Sequence, residues 1–269
     1  MKPNLKIAWL QADLAWEDAK TNREHFARKI QSLENDCDLI VLPETFNTGF
    51  PVDPKQYAES IHGESMAWMM KMAQQTAAVI TGSLLIESGG HFSNSLIWMR
   101  PDGSFERYDK RHVFSMGGEH KKIKAGTKQL TVELKGWRIR PMVCYDLRFP
   151  VWSKNRLLKN GEFEYDLAIY VANWPAVRSY PWKQLLIARA IENMAFILGV
   201  NRVGTDGPGN YYSGNSMMID FKGKVISLAD EGSEQNFTQV ISLQQLTNFR
   251  NKFNVSLDWD EFGLYDLTK

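Results

Sequence analysis

Short apolar runs alternate with longer amphipathic segments along most of this chain, and that alternation limits the fold to sheets covered by helices. Leu5 to Ala12 reads as a strand, with Ile7 and Trp9 beginning a buried run. Asn22 to Leu33 places Phe26, Ile30 and Leu33 on one helical face, and Asp38 to Pro43 is a short buried strand closed by its proline. Met66, Met69, Met70, Ala73 and Ala77 recur at helical spacing and are expected to pack into the core. Val79–Ile86 and Asn94–Met99 follow as strands, with turn chemistry at Gly89-Gly90 and Pro101-Asp102-Gly103. Arg138–Val143, Tyr165–Ala172 and Ala195–Val203 are further strands. Between the last two, a helix from Trp182 to Met194 buries Trp182, Leu186, Ala190 and Met194. Ser216–Phe221 and Lys224–Leu228 form a hairpin around Lys222-Gly223. No linker or repeat interrupts the series, so residues 1–269 are expected to form a single domain. Periodicity leaves open whether there is one doubly covered sheet or two stacked sheets.

Charge and cysteine content narrow the function. Thirty-two basic residues stand against 31 acidic ones, a net charge of +1, so no global field draws in nucleic acid. No apolar stretch has the length needed to span a bilayer, and the start Met1-Lys2-Pro3-Asn4 lacks the apolar core of a secretory signal. Cys37 and Cys144 sit far apart in unlike contexts, which argues against a disulfide framework and for a reducing, cytoplasmic location.

Three polar groups stand at or just past the ends of apolar strands, where α/β proteins tend to build their sites. Glu44 follows Leu39–Leu42 and its proline, Lys110 lies beyond Phe105–Tyr108, and Cys144 follows Arg138–Val143. Each would be costly to bury alone; together they make a working nucleophile. A thiol needs a base or a lowered pKa to act. Glu44 in a dry pocket would gain basicity by desolvation and could take the thiol proton. Lys110 would offset the buried negative charge and donate to the oxyanion formed when sulfur attacks an amide carbonyl. The backbone N–H of Tyr145, directly after the thiol, is a second donor for that oxygen.

The segments Leu42-Pro-Glu-Thr-Phe-Asn-Thr-Gly-Phe50, Tyr108-Asp-Lys-Arg-His112 and Met142-Val-Cys-Tyr-Asp-Leu-Arg-Phe-Pro150 resemble the three signature blocks of the carbon–nitrogen hydrolase (nitrilase) superfamily. Val171-Ala-Asn-Trp-Pro175, Arg189-Ala-Ile-Glu-Asn193 and Asn201-Arg-Val-Gly-Thr-Asp-Gly207 extend the similarity over nearly the whole chain. The resemblance implies an α/β four-layer α-β-β-α sandwich, commonly paired into a homodimer, acting on a small-molecule amide without cofactor or metal. It also implies Glu44 as general base, Lys110 as oxyanion-side cation and Cys144 as nucleophile. Glu119, in Gly117-Gly-Glu-His120, falls where the family often carries a second glutamate that positions the lysine. Asn173-Trp-Pro175 with the Cys144 block looks like the ω-amidase branch, which hydrolyses the terminal amide of 2-oxo dicarboxylic acid monoamides such as 2-oxoglutaramate. Phe50, Met116 and Trp174 are candidates for the pocket wall. Arg148 is a candidate for the substrate carboxylate, although a brace through Asp146 is the favoured role.

Other chemistries fit less well. A papain-like protease needs a histidine base, and none of His25, His62, His91, His112 and His120 carries such a signature; His112 and His120 are expected to be hydrogen-bonded structural residues. No metal-ligand spacing occurs, and Gly204-Thr-Asp-Gly-Pro-Gly209 lacks a Walker lysine and reads as a turn. A nitrilase or N-carbamoyl amidase would use the same triad, and a non-catalytic scaffold on this fold is the alternative of another class.

Overall fold

The computed structural model describes residues 3–33, 36–51 and 53–264. Both ends of the expected 1–269 domain, residues 1–2 and 265–269, lie outside the described residues. The first half of the chain runs β1 (Asn4–Gln11), α1 (Ala19–Gln31), β2 (Leu39–Val41), α2 (Pro54–Tyr57), α3 (Glu64–Thr76), β3 (Val79–Ser88), β4 (His91–Met99) and β5 (Phe105–Asp109). The second runs β6 (Val132–Leu134), β7 (Trp137–Val143), α4 (Pro150–Ser153), β8 (Leu167–Ala172), α5 (Ser179–Asn193), β9 (Phe196–Asn201), β10 (Val203–Thr205), β11 (Tyr211–Ser213), β12 (Met217–Ile219), β13 (Val225–Leu228), β14 (Gln235–Ser242) and α6 (Leu243–Lys252).

These strands form two six-stranded sheets, ordered β14-β1-β2-β3-β4-β5 and β13-β12-β9-β8-β7-β6, with β10 and β11 as a separate ribbon. Two stacked sheets therefore answer the question that periodicity leaves open. Each sheet has a parallel centre, β1-β2-β3 in one and β7-β8-β9 in the other, with antiparallel strands outside.

Strand alternation assembles the layers. In β1, Leu5, Ile7 and Trp9 join the core between the sheets, whereas Ala8 and Leu10 face the helical side with Phe26 and Ile30 of α1 and Met66 and Met69 of α3. β4 splits the same way, Leu96 and Trp98 inward, Ile97 and Met99 outward. β8 and β9 are buried along their whole length, as expected of parallel strands covered on both faces. Trp182, Leu186 and Ala190 of α5 cover the second sheet, completing the order helix, sheet, sheet, helix. Among the described residues no helix is long and apolar enough to cross a membrane.

Several local expectations are corrected. In α3, Met72 is buried while Met70 and Ala77 are exposed, because the sheet meets the helix on the face carrying residues 66, 69, 72 and 73. The strand expected to run from Ala195 to Val203 is interrupted at Arg202, whose buried guanidinium binds Asp13 at 2.8 Å and lies 4.8 Å from the Tyr212 ring. A fully buried cation needs such partners, and turning toward them breaks the strand. The hairpin of β12 and β13 is present, with Gly223 at φ +84° in its turn.

Candidate active site

Glu44, Lys110 and Cys144 stand directly beyond or near the carboxyl ends of β2, β5 and β7. Glu44 belongs to a loop laid tightly over β3: Leu42 N–H donates to Thr81 O (2.7 Å) and Thr45 N–H to Ser83 Oγ (2.8 Å). Gly82 allows that approach, since a Cβ there would lie 2.9 Å from Leu42 Cβ and 3.0 Å from the Phe46 ring. Lys110 is anchored by its own N–H to Asn94 O at 2.9 Å, extending the β4–β5 ladder by one residue. Cys144 starts a short 3-10 turn over residues 144–148 and has φ +44°, in the sparsely populated left-handed region.

Asp146 holds that turn. Its fully buried carboxylate accepts from Val143 N–H (3.1 Å), His112 N–H (2.9 Å), His112 Nδ1 (2.8 Å) and the Tyr108 hydroxyl (2.7 Å). The lysine strand and the cysteine turn are thereby joined through one side chain. His112 also stacks on Phe149 with ring centroids 3.7 Å apart, so it is a structural residue, whereas His120 is exposed. Asp146→Ala would strip the acceptor from buried donors. It is expected to cost about 3–5 kcal/mol of stability, read from urea unfolding, with loss of activity at temperatures where the variant is still folded. An unchanged unfolding midpoint would refute the bracing role.

The side chains converge on one pocket of about 440 Å³ whose lining includes Glu44, Lys110, Glu119 and Cys144. Glu44, Lys110 and Glu119 are 1%, 2% and 3% exposed. Lys110 Nζ donates to Glu44 Oε1 at 3.1 Å and lies 3.1 Å from each carboxylate oxygen of Glu119. Asn94 Nδ2 donates to Glu44 Oε1 (2.8 Å) and Asn173 N–H to Glu44 Oε2 (2.7 Å), so the carboxylate is oriented from both sheets. Asn173 Nδ2 additionally reaches Glu44 O (3.0 Å) and Thr45 Oγ1 (2.8 Å). Glu119 accepts a further bond from Phe114 N–H. Cys144 Sγ contacts Asn173 O at 3.9 Å. Tyr145 is the second residue of the 3-10 turn, where a helix leaves its N–H groups without intrahelical acceptors.

The electrostatics follow from that packing. Burial alone would push Lys110 down, but Glu119 and Glu44 overcome it and hold the ammonium above its ordinary range. Burial raises Glu119, opposed by Lys110. Burial likewise pushes the Cys144 thiol well up, and the Glu44 charge adds to it against the pull of Lys110. Burial and the Glu44 charge thus both work against a lowered thiol pKa, which favours the other route to a reactive sulfur, a neighbouring base. With two carboxylates and one ammonium the cluster is already formally −1, so a free thiolate would add a second uncompensated charge. Passing the proton from Cys144 to Glu44 leaves the total unchanged.

Phe50, Arg148 and Trp174 line this pocket, and the Phe50 ring lies 5.5 Å from Lys110 Nζ. Met116 does not. It is 88% exposed on the 3-10 turn Ser115–Gly117, which carries Phe114 and Gly117 to the wall instead. Nor does Arg148 bond Asp146, whose oxygens are occupied by the groups named above; its guanidinium lies 4.8 Å from the Trp174 ring, at the pocket. Asn94 and Arg178 are site residues for which sequence reasoning had no signal, one an ordinary strand asparagine and the other a charge in a loop. The expected turn at Gly204–Gly209 supplies Asp206 and Pro208 to the same wall.

The carbon–nitrogen hydrolase family model matches residues 6–251. Omega-amidase YafV of Escherichia coli strain K12 is 44% identical over 264 residues, covering 98% of this chain and 100% of its own. The 2-oxoglutaramate amidase of Bacillus subtilis strain 168 is 30% identical, covering 93% of this chain and 95% of its own. Among solved structures, XC1258 from Xanthomonas campestris, a CN-hydrolase superfamily protein described with an arsenic adduct in its active site, superposes with a TM-score of 0.95. It is 43% identical, with 98% of this chain and 100% of that chain covered. Saccharomyces cerevisiae Nit3 shares the fold at a TM-score of 0.80 and 23% identity, with 94% and 95% covered. With residues from its signature blocks gathered into one pocket and nearly all of its length covered by these relatives, this chain belongs to the carbon–nitrogen hydrolase family.

Proposed function

We propose that this protein is an ω-amidase that hydrolyses the terminal amide of 2-oxo dicarboxylic acid monoamides such as 2-oxoglutaramate, releasing ammonia. The observation that carries the reading is a buried acid–amine cluster beside the Cys144 thiol on a pocket that is also lined by a half-buried arginine, Arg148. The names borne by the Escherichia coli and Bacillus subtilis relatives agree with it.

In this mechanism Glu44 takes the Sγ proton as Cys144 attacks the amide carbon. Lys110 and the Tyr145 N–H stabilise the oxyanion, preorganised donors that are typically worth about 3 kcal/mol each. Glu119 keeps the ammonium in place, and one of its two contacts with Nζ yields to the new oxygen. Protonated Glu44 then delivers its proton to the departing ammonia, and the thioester remains. The same carboxylate activates a water, which opens the thioester through the same oxyanion site. Every proton moves between groups inside the cluster, so its net charge stays near that of the resting state. Phe50 and Trp174 wall the carbon chain, and Arg148 meets the carboxylate.

The reading takes residues 1–269 as one hydrolase domain, cytoplasmic and working as a homodimer, the last checked by light scattering. Ammonia release from a panel of ω-amides, nitriles and N-carbamoyl amino acids tests the substrate. We expect 2-oxo acid amides to exceed uncharged nitriles by at least about 10²-fold in kcat/KM, since a site built to bind a polar group strongly rejects analogues lacking it. Preference for nitriles or carbamoyl compounds would overturn the substrate assignment.

A further inference from the structure

The pocket is electrically graded. Its floor of Glu44, Lys110 and Glu119 is formally −1 and almost fully buried, whereas Arg148 and Arg178 stand half-buried at its rim and Lys122 is exposed there. The acid at the rim, Asp206, is already engaged, accepting from Asn210 N–H (2.7 Å) and from the Tyr212 hydroxyl (2.8 Å). Among the described residues neither Arg148 nor Arg178 places its guanidinium on a carboxylate or any other hydrogen-bond acceptor; each instead packs near an aromatic ring, Arg148 by Trp174 and Arg178 5.5 Å from Phe114.

A half-buried guanidinium with no internal acid keeps its five N–H donors available to water or to a ligand. Packing against rings holds these two in place without using any of their N–H donors. Trp174 organises both. Its ring supports Arg148, and its indole N–H donates to Arg178 O at 2.7 Å, setting the short turn Ala176–Arg178 against the pocket.

We propose that Arg178 is a second carboxylate anchor, acting with Arg148 to grip the acid end of the substrate while its amide end lies over Cys144. This rests on the substrate reading above and adds to it a specificity-determining residue. The gradient gives the substrate its direction: an anion is drawn to the cationic rim and turned away from the anionic floor, so the neutral amide is the end that reaches the thiol. A lone cation would hold the charge; two guanidiniums from different loops also fix the carboxylate plane, because each offers paired N–H donors in a rigid fork.

The test compares 2-oxoglutaramate with pentanamide, an amide of the same chain length without charge, in the wild type, Arg178→Ala and Arg178→Lys. Losing a charge-assisted contact is expected to lower the ratio of kcat/KM for the anionic over the neutral amide by about 10- to 100-fold in Arg178→Ala, chiefly through KM. Arg178→Lys should recover part of that ratio, which a merely structural side chain would not do. A wild type that prefers 2-oxoglutaramate, with an Arg178→Ala variant that keeps the preference or loses both activities in parallel, overturns the anchor alone. A wild type that turns over pentanamide as readily as 2-oxoglutaramate overturns the substrate reading and the anchor with it.

Discussion

Cys144→Ala is expected to reduce ammonia release by at least about 10³-fold, because the proposed acyl intermediate forms on its sulfur and the pocket offers no second thiol or aliphatic hydroxyl in its place. Among the described residues the pocket lining contains no serine, threonine or second cysteine. The fold should be indifferent to the change. Sγ makes a long contact to Asn173 O and a side-chain hydrogen bond with Glu44, and the turn is held by the Asp146 carboxylate rather than by sulfur. Thermal unfolding is therefore expected within about 2 °C of the wild type, since a single weakly bonded atom facing the pocket is removed. Substantial turnover by a folded Cys144→Ala protein would remove the nucleophile assignment.

Glu44→Gln is expected to lower kcat by about 10²–10⁴-fold, the usual span for loss of a positioned base. It should leave a residual rate with a different pH dependence. On the proposed mechanism the thiol proton passes to the Glu44 carboxylate, so activity need not await ionisation of a thiol that burial holds well above its ordinary value. Without the carboxylate, only the spontaneously formed thiolate can attack. Residual turnover should then climb about tenfold per pH unit while the pH is below the thiol pKa. The substitution also removes a negative charge that raises this thiol, so the climb should level off at lower pH than the wild-type thiol value would allow.

The glutamine side chain would not be a silent replacement in the folded state. Glu44 Oε1 accepts from Lys110 and Asn94, and Oε2 from the Asn173 N–H. An amide must turn its own NH₂ toward one of these donors, leaving a buried clash of donors worth about 1–3 kcal/mol. Activity and unfolding should therefore be measured on the same sample. A Glu44→Gln protein with wild-type kcat and an unchanged pH profile would transfer the role of base to another group.

What could be read before any coordinates was whatever is local. Strand and helix identity follow from spacing over a few residues, and the carboxylate, ammonium and thiol each sit in a short block with its own context. Their order along the chain carried the family resemblance. Boundaries moved by a few residues, as in β4, which begins at His91 rather than Asn94. The strand β14, which returns from the far end of the chain to pair with β1, had no comparable local mark: its side chains are mostly half-exposed.

The spatial relations were of another kind. Glu44 and Asn173 are 129 residues apart and share hydrogen bonds because the carboxyl ends of β2 and β8, in different sheets, open at one edge of the sandwich. Asn94 reaches Glu44 only through the register that sets β4 beside β3 and β5. The same distinction explains the wall residues. Whether Met116 or Phe114 faces the cavity depends on one 3-10 turn, and whether Arg148 braces Asp146 depends on which donors already fill that carboxylate. Residue chemistry and short-range periodicity are properties of neighbouring positions, so a single chain displays them. Competition for a buried acceptor, and the meeting of strand ends from two sheets, exist only once packing has excluded water and set the register.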